Sequence, residues 1–190
     1  QSKHGIYRDI LLKYDLVTAD STQEKRQIEL SNIKVPGHKF EAPGRFGQRF
    51  SSSARIKIGD ANAYVRGDVH YTIKYRVENA FLHDENGVQF YWNLKPTDWL
   101  ADFQDMQFTV ELPPGAAVTD KDFAIYSGYI GLESFSKDFD FTLSDGSLTA
   151  KAKPGFKSKY GEAVTVLIKM PPGAVKEIKP LWPFWTKYGW

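Results

Sequence analysis

The chain has 190 residues, of which 42% are hydrophobic and 15% aromatic, and this is enough to bury a core of ordinary domain size. Its 25 Lys and Arg residues against 23 Asp and Glu residues leave a formal net charge of +2, with no basic block along the sequence. This argues against a nucleic-acid partner, because phosphate contacts need a concentrated positive patch. Cysteine is absent, which excludes disulfides, thiolate metal ligands and a thiol nucleophile.

The first third of the chain contains two strand signals. Apolar and polar residues alternate from Ile28 to Val35, with a phase shift of one residue at Asn32. Alternation places one face of a strand in a core, and the shift predicts a β-bulge. The run from Ala54 to Ile58 alternates in the same way and predicts a second strand.

A long segment from Pro36 to Ser53 lies between these strands and is rich in Gly, Pro, Phe and polar residues. Loops of this length are either functional or mobile. One interpretation is a surface loop whose Phe40 and Phe46 pack back onto the sheet. The other is a contact surface that presents the same two aromatic side chains.

The longest alternating pattern runs from Val69 to Leu94 and contains two strand-like segments, Val69–Val77 and Val88–Leu94. The segment between them, Asn79–Gly87, is largely polar and ends in Asn-Gly, a pair that tolerates the positive φ of a tight turn. The pattern predicts an antiparallel hairpin formed by the two segments. After it, Thr97–Asp102 could form one helical turn, with Thr97 as N-cap.

The second half contains two more strand signals and the sharpest local prediction, a hairpin. Phe108–Leu112 and Val164–Met170 alternate as strands do. In Phe139–Ala152, the dipeptide Asp145-Gly146 predicts a two-residue hairpin turn. The register that follows places Leu143 opposite Leu148, Phe141 opposite Ala150 and Phe139 opposite Ala152.

These signals together predict an all-β fold, an antiparallel β-sandwich of immunoglobulin-like architecture with long loops and at most one short helical turn. We expect one sandwich domain over residues 1–173, and a C-terminal aromatic tail over residues 174–190. The last ten residues include Trp182, Trp185 and Trp190. This tail could pack across the sandwich, or it could lie near a membrane surface, where Trp and Tyr favour the headgroup level.

No motif in the sequence predicts catalysis. The four histidines lack metal-ligand spacing, and no nucleophile or phosphate-binding motif is present. Two carboxylate pairs at i, i+2 spacing, Asp120/Asp122 and Asp138/Asp140, would suit a glycosidase only across a cleft, and such pairs usually face water. We therefore expect no enzymatic activity, no cofactor and no metal.

Several strings, in their order and spacing, resemble a known family. They are HGIYRDI at 4–10, ARIKIGD at 54–60, YTIKYRV at 71–77, FYWNL at 90–94 followed by Trp99, and GEAVTV at 161–166. They resemble the predicted membrane protein family known as domain of unknown function 2207. The resemblance implies an extracytoplasmic β-rich domain of the bacterial cell envelope, preceded by a removed signal peptide and followed by transmembrane helices, with no assigned enzymatic activity.

The chain departs from the family pattern at two places. Family members usually carry a strand pair before the GIYR-like motif, whereas this chain starts almost at the motif, so part of the first sheet is expected to be missing. An edge left unpaired in this way would offer backbone groups to another chain, which predicts self-association or a disordered start. At the second place, Lys95–Asp98 replaces a Gly-containing turn before Trp99. Arg8, within the motif, is either a partner contact or a buried structural ion pair.

The sequence therefore predicts a binding or interaction domain of a membrane-anchored envelope protein, with an unknown protein or envelope ligand as partner. The expected contact residues are Arg8, Phe40, Phe46, Trp182, Trp185 and Trp190. One alternative is a carbohydrate-binding or carbohydrate-active sandwich, in which aromatic residues such as Tyr71, Tyr75 and Trp92 would line an exposed sheet face. Another alternative is a structural spacer domain.

Overall fold

The computed structural model describes residues 4–17, 23–129, 134–144 and 146–177. The chain forms two compact units, which we call unit 1 and unit 2; within the described residues, unit 1 runs to Asn79 and unit 2 starts at Ala80. Both are built from antiparallel strands, so the predicted all-β, sandwich-like fold is confirmed. That residues 1–173 fold as one domain stays a prediction, because two compact units can unfold together or separately.

Within the part of the chain that the structure describes, unit 1 contains seven strands and one helix. They are β1 (Gly5–Leu11), β2 (Lys13–Val17), β3 (Gln23–Gln27), β4 (Glu29–Lys34), β5 (Phe40–Glu41), α1 (Arg45–Phe50), β6 (Ser53–Gly59) and β7 (Lys74–Glu78). They form a three-stranded sheet in the order β1-β6-β5 and the pairs β2-β3 and β4-β7. The alternating apolar residues are buried as predicted: Ala54, Ile56 and Ile58 of β6 are at most 1% exposed.

The predicted bulge in β4 is confirmed. The β4-β7 ladder shifts register between Ser31 and Lys34, and Asn32 has a φ of 52°. The long loop predicted from Pro36 to Ser53 is wrong in one respect, because it contains β5 and α1. The helical turn predicted at Thr97–Asp102 is also wrong, since α1 is the single helix of the described residues.

Unit 2 contains the other eight strands, arranged in two sheets. They are β8 (Phe81–Asp84), β9 (Gly87–Lys95), β10 (Gln107–Glu111), β11 (Phe123–Tyr129), β12 (Ser134–Phe135), β13 (Phe139–Ser144), β14 (Ser147–Ala152) and β15 (Glu162–Met170). The sheet β12-β11-β15-β9-β8 packs on the sheet β10-β14-β13. Leu148 of β14 lies in one core cluster with Val166 and Ile168 of β15, which have the inward phase predicted for that strand.

One predicted hairpin is confirmed and the other is wrong. Strands β13 and β14 pair in the predicted register, with Leu143 opposite Leu148 and Phe139 opposite Ala152. By contrast, β7 pairs with β4 of unit 1, and β9 pairs with β8 and β15. Strand β8 forms within the segment that was predicted to be a loop. Its turn is closed by Asp84 Oδ1, which accepts hydrogen bonds from the backbone N–H groups of Asn86 and Gly87.

The two units differ sharply in charge. Residues 1–79 carry 14 Lys and Arg against 9 Asp and Glu, a formal charge of +5, and they include all seven arginines of the chain. Residues 80–178 carry 9 Lys against 14 Asp and Glu, a formal charge of −5. The near-neutral total therefore conceals a basic unit and an acidic unit. Among the described residues, no helix has the length and apolar character needed to cross a membrane.

Candidate functional site

The short helix α1 is held in place by the buried side chain of Gln48, which is 1% exposed. Its Nε2 donates to the carbonyl oxygens of Leu30 (3.0 Å) and Pro43 (3.1 Å), and its Oε1 accepts from the N–H of Leu30 (2.8 Å). The amide of Gln48 thus takes the place of a neighbouring strand along the open edge of β4. Since exposed strand edges attract other strands, this contact also protects the edge.

Arg45, in the first turn of α1, joins two opposing carboxylates. Glu29 of β4 and Glu78 of β7 are directly opposite each other in the ladder, which is repulsive for like charges. The Arg45 guanidinium donates to Glu29, which is buried, and to Glu78 Oε2 at 3.1 Å. One cation therefore compensates both carboxylates and ties α1 to the β4-β7 ribbon.

The opposite side of α1 presents two phenylalanine rings to solvent. Phe46 and Phe50 are 73% and 72% exposed, and their ring centroids lie 5.3 Å apart in an edge-on arrangement. They are four residues apart, so they share one face of the helix. We call α1 and these two rings the aromatic knob. No Asp or Glu occurs between Ala42 and Gly59, whereas this stretch contains Arg45, Arg49, Arg55 and Lys57.

A groove of about 560 Å³ lies in the same unit, beside β5 and β6. Phe40, which is 38% exposed, lines it together with His38, Lys39 and Asp60. The Lys39 ammonium and the Asp60 carboxylate are 2.5 Å apart. This hydrogen bond raises the pKa of Lys39 and lowers the pKa of Asp60, so both groups remain charged. The groove thus combines the aromatic side chain of Phe40 with an ion pair whose two charges cancel.

The structure separates the residues that the sequence singled out. Phe40 lies in the groove and Phe46 on the aromatic knob, where its exposure rules out packing back onto the sheet. Arg8 is half-buried on β1, opposite the buried Ile56, which suits the structural role. Trp182, Trp185 and Trp190 lie outside the described residues. Sequence reasoning missed Gln48 and Phe50, although the i, i+4 spacing of Phe46 and Phe50 was a usable signal.

Asp9, which follows Arg8 in the motif, forms an ion pair with Arg55. Arg55 of β6 donates from Nε and Nη2 to the two carboxylate oxygens of Asp9, at 2.8 and 2.9 Å. The Arg55 guanidinium also lies over the ring of Tyr7, 5.3 Å from its centroid. Fork-to-fork pairing with an aromatic neighbour is what arginine, and not lysine, provides. The conspicuous motif thus stabilises the β1-β6 pair.

The complete burial of Lys95, which is 0% exposed, was not predicted from the sequence. A bulge in the β9-β15 ladder precedes it, and its Nζ donates to the carbonyl oxygens of Lys159 (2.9 Å) and Glu162 (2.7 Å). The ring of Phe103 lies 5.6 Å away. Desolvation lowers the pKa of Lys95, partly opposed by Glu162 and two aspartates. These bonds tie the end of β9 to the turn that precedes β15.

One carboxylate of each predicted pair and two of the aromatic residues of the alternative interpretations have structural partners. Asp122 accepts from the N–H and hydroxyl of Thr119, which lowers its pKa, and Asp140 lies 3.6 Å from Lys153. The part of the chain that the structure describes holds no cluster of three potential metal ligands. Trp92 packs against a core cluster and Tyr71 against the ring of His38, and neither is fully exposed.

Comparison with known proteins places this all-β chain in a family of predicted membrane proteins. Residues 1–170 match the family described as predicted membrane protein (DUF2207) N-terminal domain, and the chain belongs to this family. It is 24% identical over 172 residues to uncharacterized protein YciQ of Escherichia coli (strain K12). The match covers 90% of this chain and 25% of YciQ, so the chain spans about a quarter of that relative. No solved structure matches it.

Proposed function

We propose that the chain is the extracytoplasmic contact domain of a membrane-anchored protein of the bacterial envelope, and that the aromatic knob is its contact surface. The observation that carries the proposal is the exposure of Phe46 and Phe50, at 73% and 72%. Burying a phenylalanine side chain is worth about 1.5–3 kcal/mol. Two adjacent rings held in water therefore leave a substantial free energy to be gained on contact.

The rigid attachment of α1 to the rest of unit 1 supports a contact role for the aromatic knob. Gln48 and Arg45 fix α1 through hydrogen bonds and ion pairs, and Gln27 Nε2 adds a bond to the carbonyl of Gln48 at 3.0 Å. A helix of six residues without an N-terminal side-chain cap does not form by itself, so these contacts define its position. A surface fixed before binding loses less conformational entropy when the partner arrives.

The proposed role is binding and not catalysis. Three carboxyl groups, those of Asp60, Asp102 and Asp122, have pKa values that are lowered by hydrogen-bond partners. A general acid needs the opposite shift.

We also propose that β1, which is an edge strand of its sheet, can pair with a second copy of the chain.

The test is photo-crosslinking in the full-length, membrane-embedded protein. A photoreactive phenylalanine analogue replaces Phe46, and the same analogue at Leu100, which is 81% exposed in unit 2, is the matched control. We expect more adducts at position 46 than at position 100. Equal yields at the two positions would refute the proposed contact surface.

The membrane side is tested separately. Residues 1–190 contain no cysteine, so a Ser52→Cys substitution next to α1 gives this domain one thiol at an exposed position, and the protein without the substitution is the control. We expect a membrane-impermeant maleimide to label this thiol in intact spheroplasts. Labelling that appears only after lysis would place the domain on the cytoplasmic side.

A further inference from the structure

We infer that the aromatic knob docks on an anionic lipid bilayer, with Phe46 and Phe50 entering the headgroup region and the basic residues of unit 1 facing the lipid phosphates. This rests on the proposed function and names its partner. The first argument is charge: residues 1–79 carry +5, whereas residues 80–178 carry −5. An anionic surface therefore attracts unit 1 and repels unit 2.

The second argument is a group of cations on the ribbon that supports α1. Lys34 and Lys74 are directly opposite each other in the β4-β7 ladder, and Arg76 is opposite Ser31. All three lysine and arginine side chains are exposed, and the described residues provide no ion pair for them. Like charges facing each other across a ladder destabilise a sheet. Contact with lipid phosphates would relieve this repulsion.

The third argument is the size of the apolar surface. Two phenylalanines bury about 300–500 Å² at most, whereas a stable protein interface buries about 800 Å² on each partner. The knob is therefore too small to hold a protein partner by apolar contact alone. It is large enough for interfacial insertion, because there the buried apolar area and the attraction of basic residues to anionic lipids act together.

The test is co-sedimentation of the 190-residue chain with vesicles of phosphatidylcholine, with or without one third phosphatidylglycerol. We expect binding to the anionic vesicles and loss of binding as NaCl rises from about 50 mM to about 500 mM, because salt screens the charges. Phe46→Ser with Phe50→Ser should weaken partitioning at least about tenfold. Lys34→Gln with Lys74→Gln should weaken it about fivefold for each charge removed.

The matched control removes apolar surface from the acidic unit. Leu100→Ser with Phe135→Ser takes away two side chains that are 81% and 69% exposed, and it should leave vesicle binding unchanged. Circular dichroism checks that every variant is folded. Vesicle binding that is unaffected by the Phe46/Phe50 variant would overturn the lipid inference.

The failure of this inference differs from the failure of the proposed function. If the chain does not bind anionic vesicles and the crosslinker at position 46 forms adducts only with protein, the lipid partner is wrong and the proposed contact surface is supported. If position 46 forms no more adducts than position 100, both are wrong. Adducts of position 46 with lipid, together with vesicle binding that depends on Phe46 and Phe50, support both.

Discussion

Replacing Gln48 should release the aromatic knob without removing it. In Gln48→Ala, the N–H and C=O of Leu30 lose the partners that they contact at 2.8 and 3.0 Å, and Pro43 loses the donor to its carbonyl. A buried polar group without a partner costs about 1–3 kcal/mol. The two groups of Leu30 therefore imply a loss of about 2–6 kcal/mol in the local free energy of opening.

Hydrogen exchange at the amide of Leu30 measures this loss directly, because the Gln48 side chain is the acceptor for that N–H. Each 1.4 kcal/mol corresponds to a factor of ten, so exchange should accelerate at least about 30-fold. Phe50→Ser on the same helix should change the global free energy of unfolding by less than about 0.5 kcal/mol, because its side chain is exposed.

Gln48→Glu separates hydrogen bonding from volume, since the two side chains have nearly the same size. At neutral pH the introduced carboxylate faces the carbonyl oxygens of Leu30 and Pro43, which it repels. Once protonated, the introduced carboxyl group can again donate one hydrogen bond, so protection of α1 should return as the pH falls. Unchanged exchange of Leu30 in Gln48→Ala would refute the view that Gln48 holds the helix.

Three further predictions concern the rest of the fold. Lys95→Met should lower the free energy of unfolding by about 1–3 kcal/mol in urea melts followed by tryptophan fluorescence, because two carbonyl groups lose their donor. Since burial lowers the pKa of Lys95, the unfolded chain holds this proton at pH values where the folded chain has lost it. The free energy of unfolding of the wild type should therefore rise with pH up to about 10.5, relative to that of Lys95→Met. Parallel pH profiles of the two proteins would contradict this. Gly59→Ala should lower the free energy of unfolding by more than about 1 kcal/mol, because φ is +130° and a Cβ would meet the carbonyl oxygen of His4. Gly44→Ala is the control, because a Cβ there has nothing within 4 Å, and equal melting temperatures of the two variants would contradict the prediction. Asp60→Asn should lower the pKa of Lys39 towards its ordinary value in an NMR titration, and an unchanged pKa would show that the ion pair does not form in solution.

Local patterns predicted the strands more reliably than their partners. The β13-β14 register followed from a two-residue turn and a matching period, since both are local signals. The strand character of Lys74–Glu78 was also visible, but its pairing with β4 depends on residues about 40 or more positions away. A period of two shows that a strand has a buried face and does not show which strand lies beside it.

The site was only partly visible in the sequence. Helix α1 has six residues, includes Gly47 and lacks a side-chain cap, so the i, i+4 spacing of Phe46 and Phe50 is a weak helical signal by itself. Its position depends on tertiary hydrogen bonds from Gln48 and on the ion pairs of Arg45, which no pattern reveals. The charge difference between the units was present in the sequence, but it becomes visible only when the boundary at Asn79 is known.

The most direct test of the central claim places a probe beside the aromatic knob while keeping both rings. A bimane label on Ser52→Cys reports the polarity two residues after α1, and lipids with brominated acyl chains quench it only at close range. On anionic vesicles the account predicts a blue shift and quenching, and neither in the variant that also carries Phe46→Ser and Phe50→Ser. An unshifted, unquenched label in a chain that binds the vesicles would show that another surface meets the membrane.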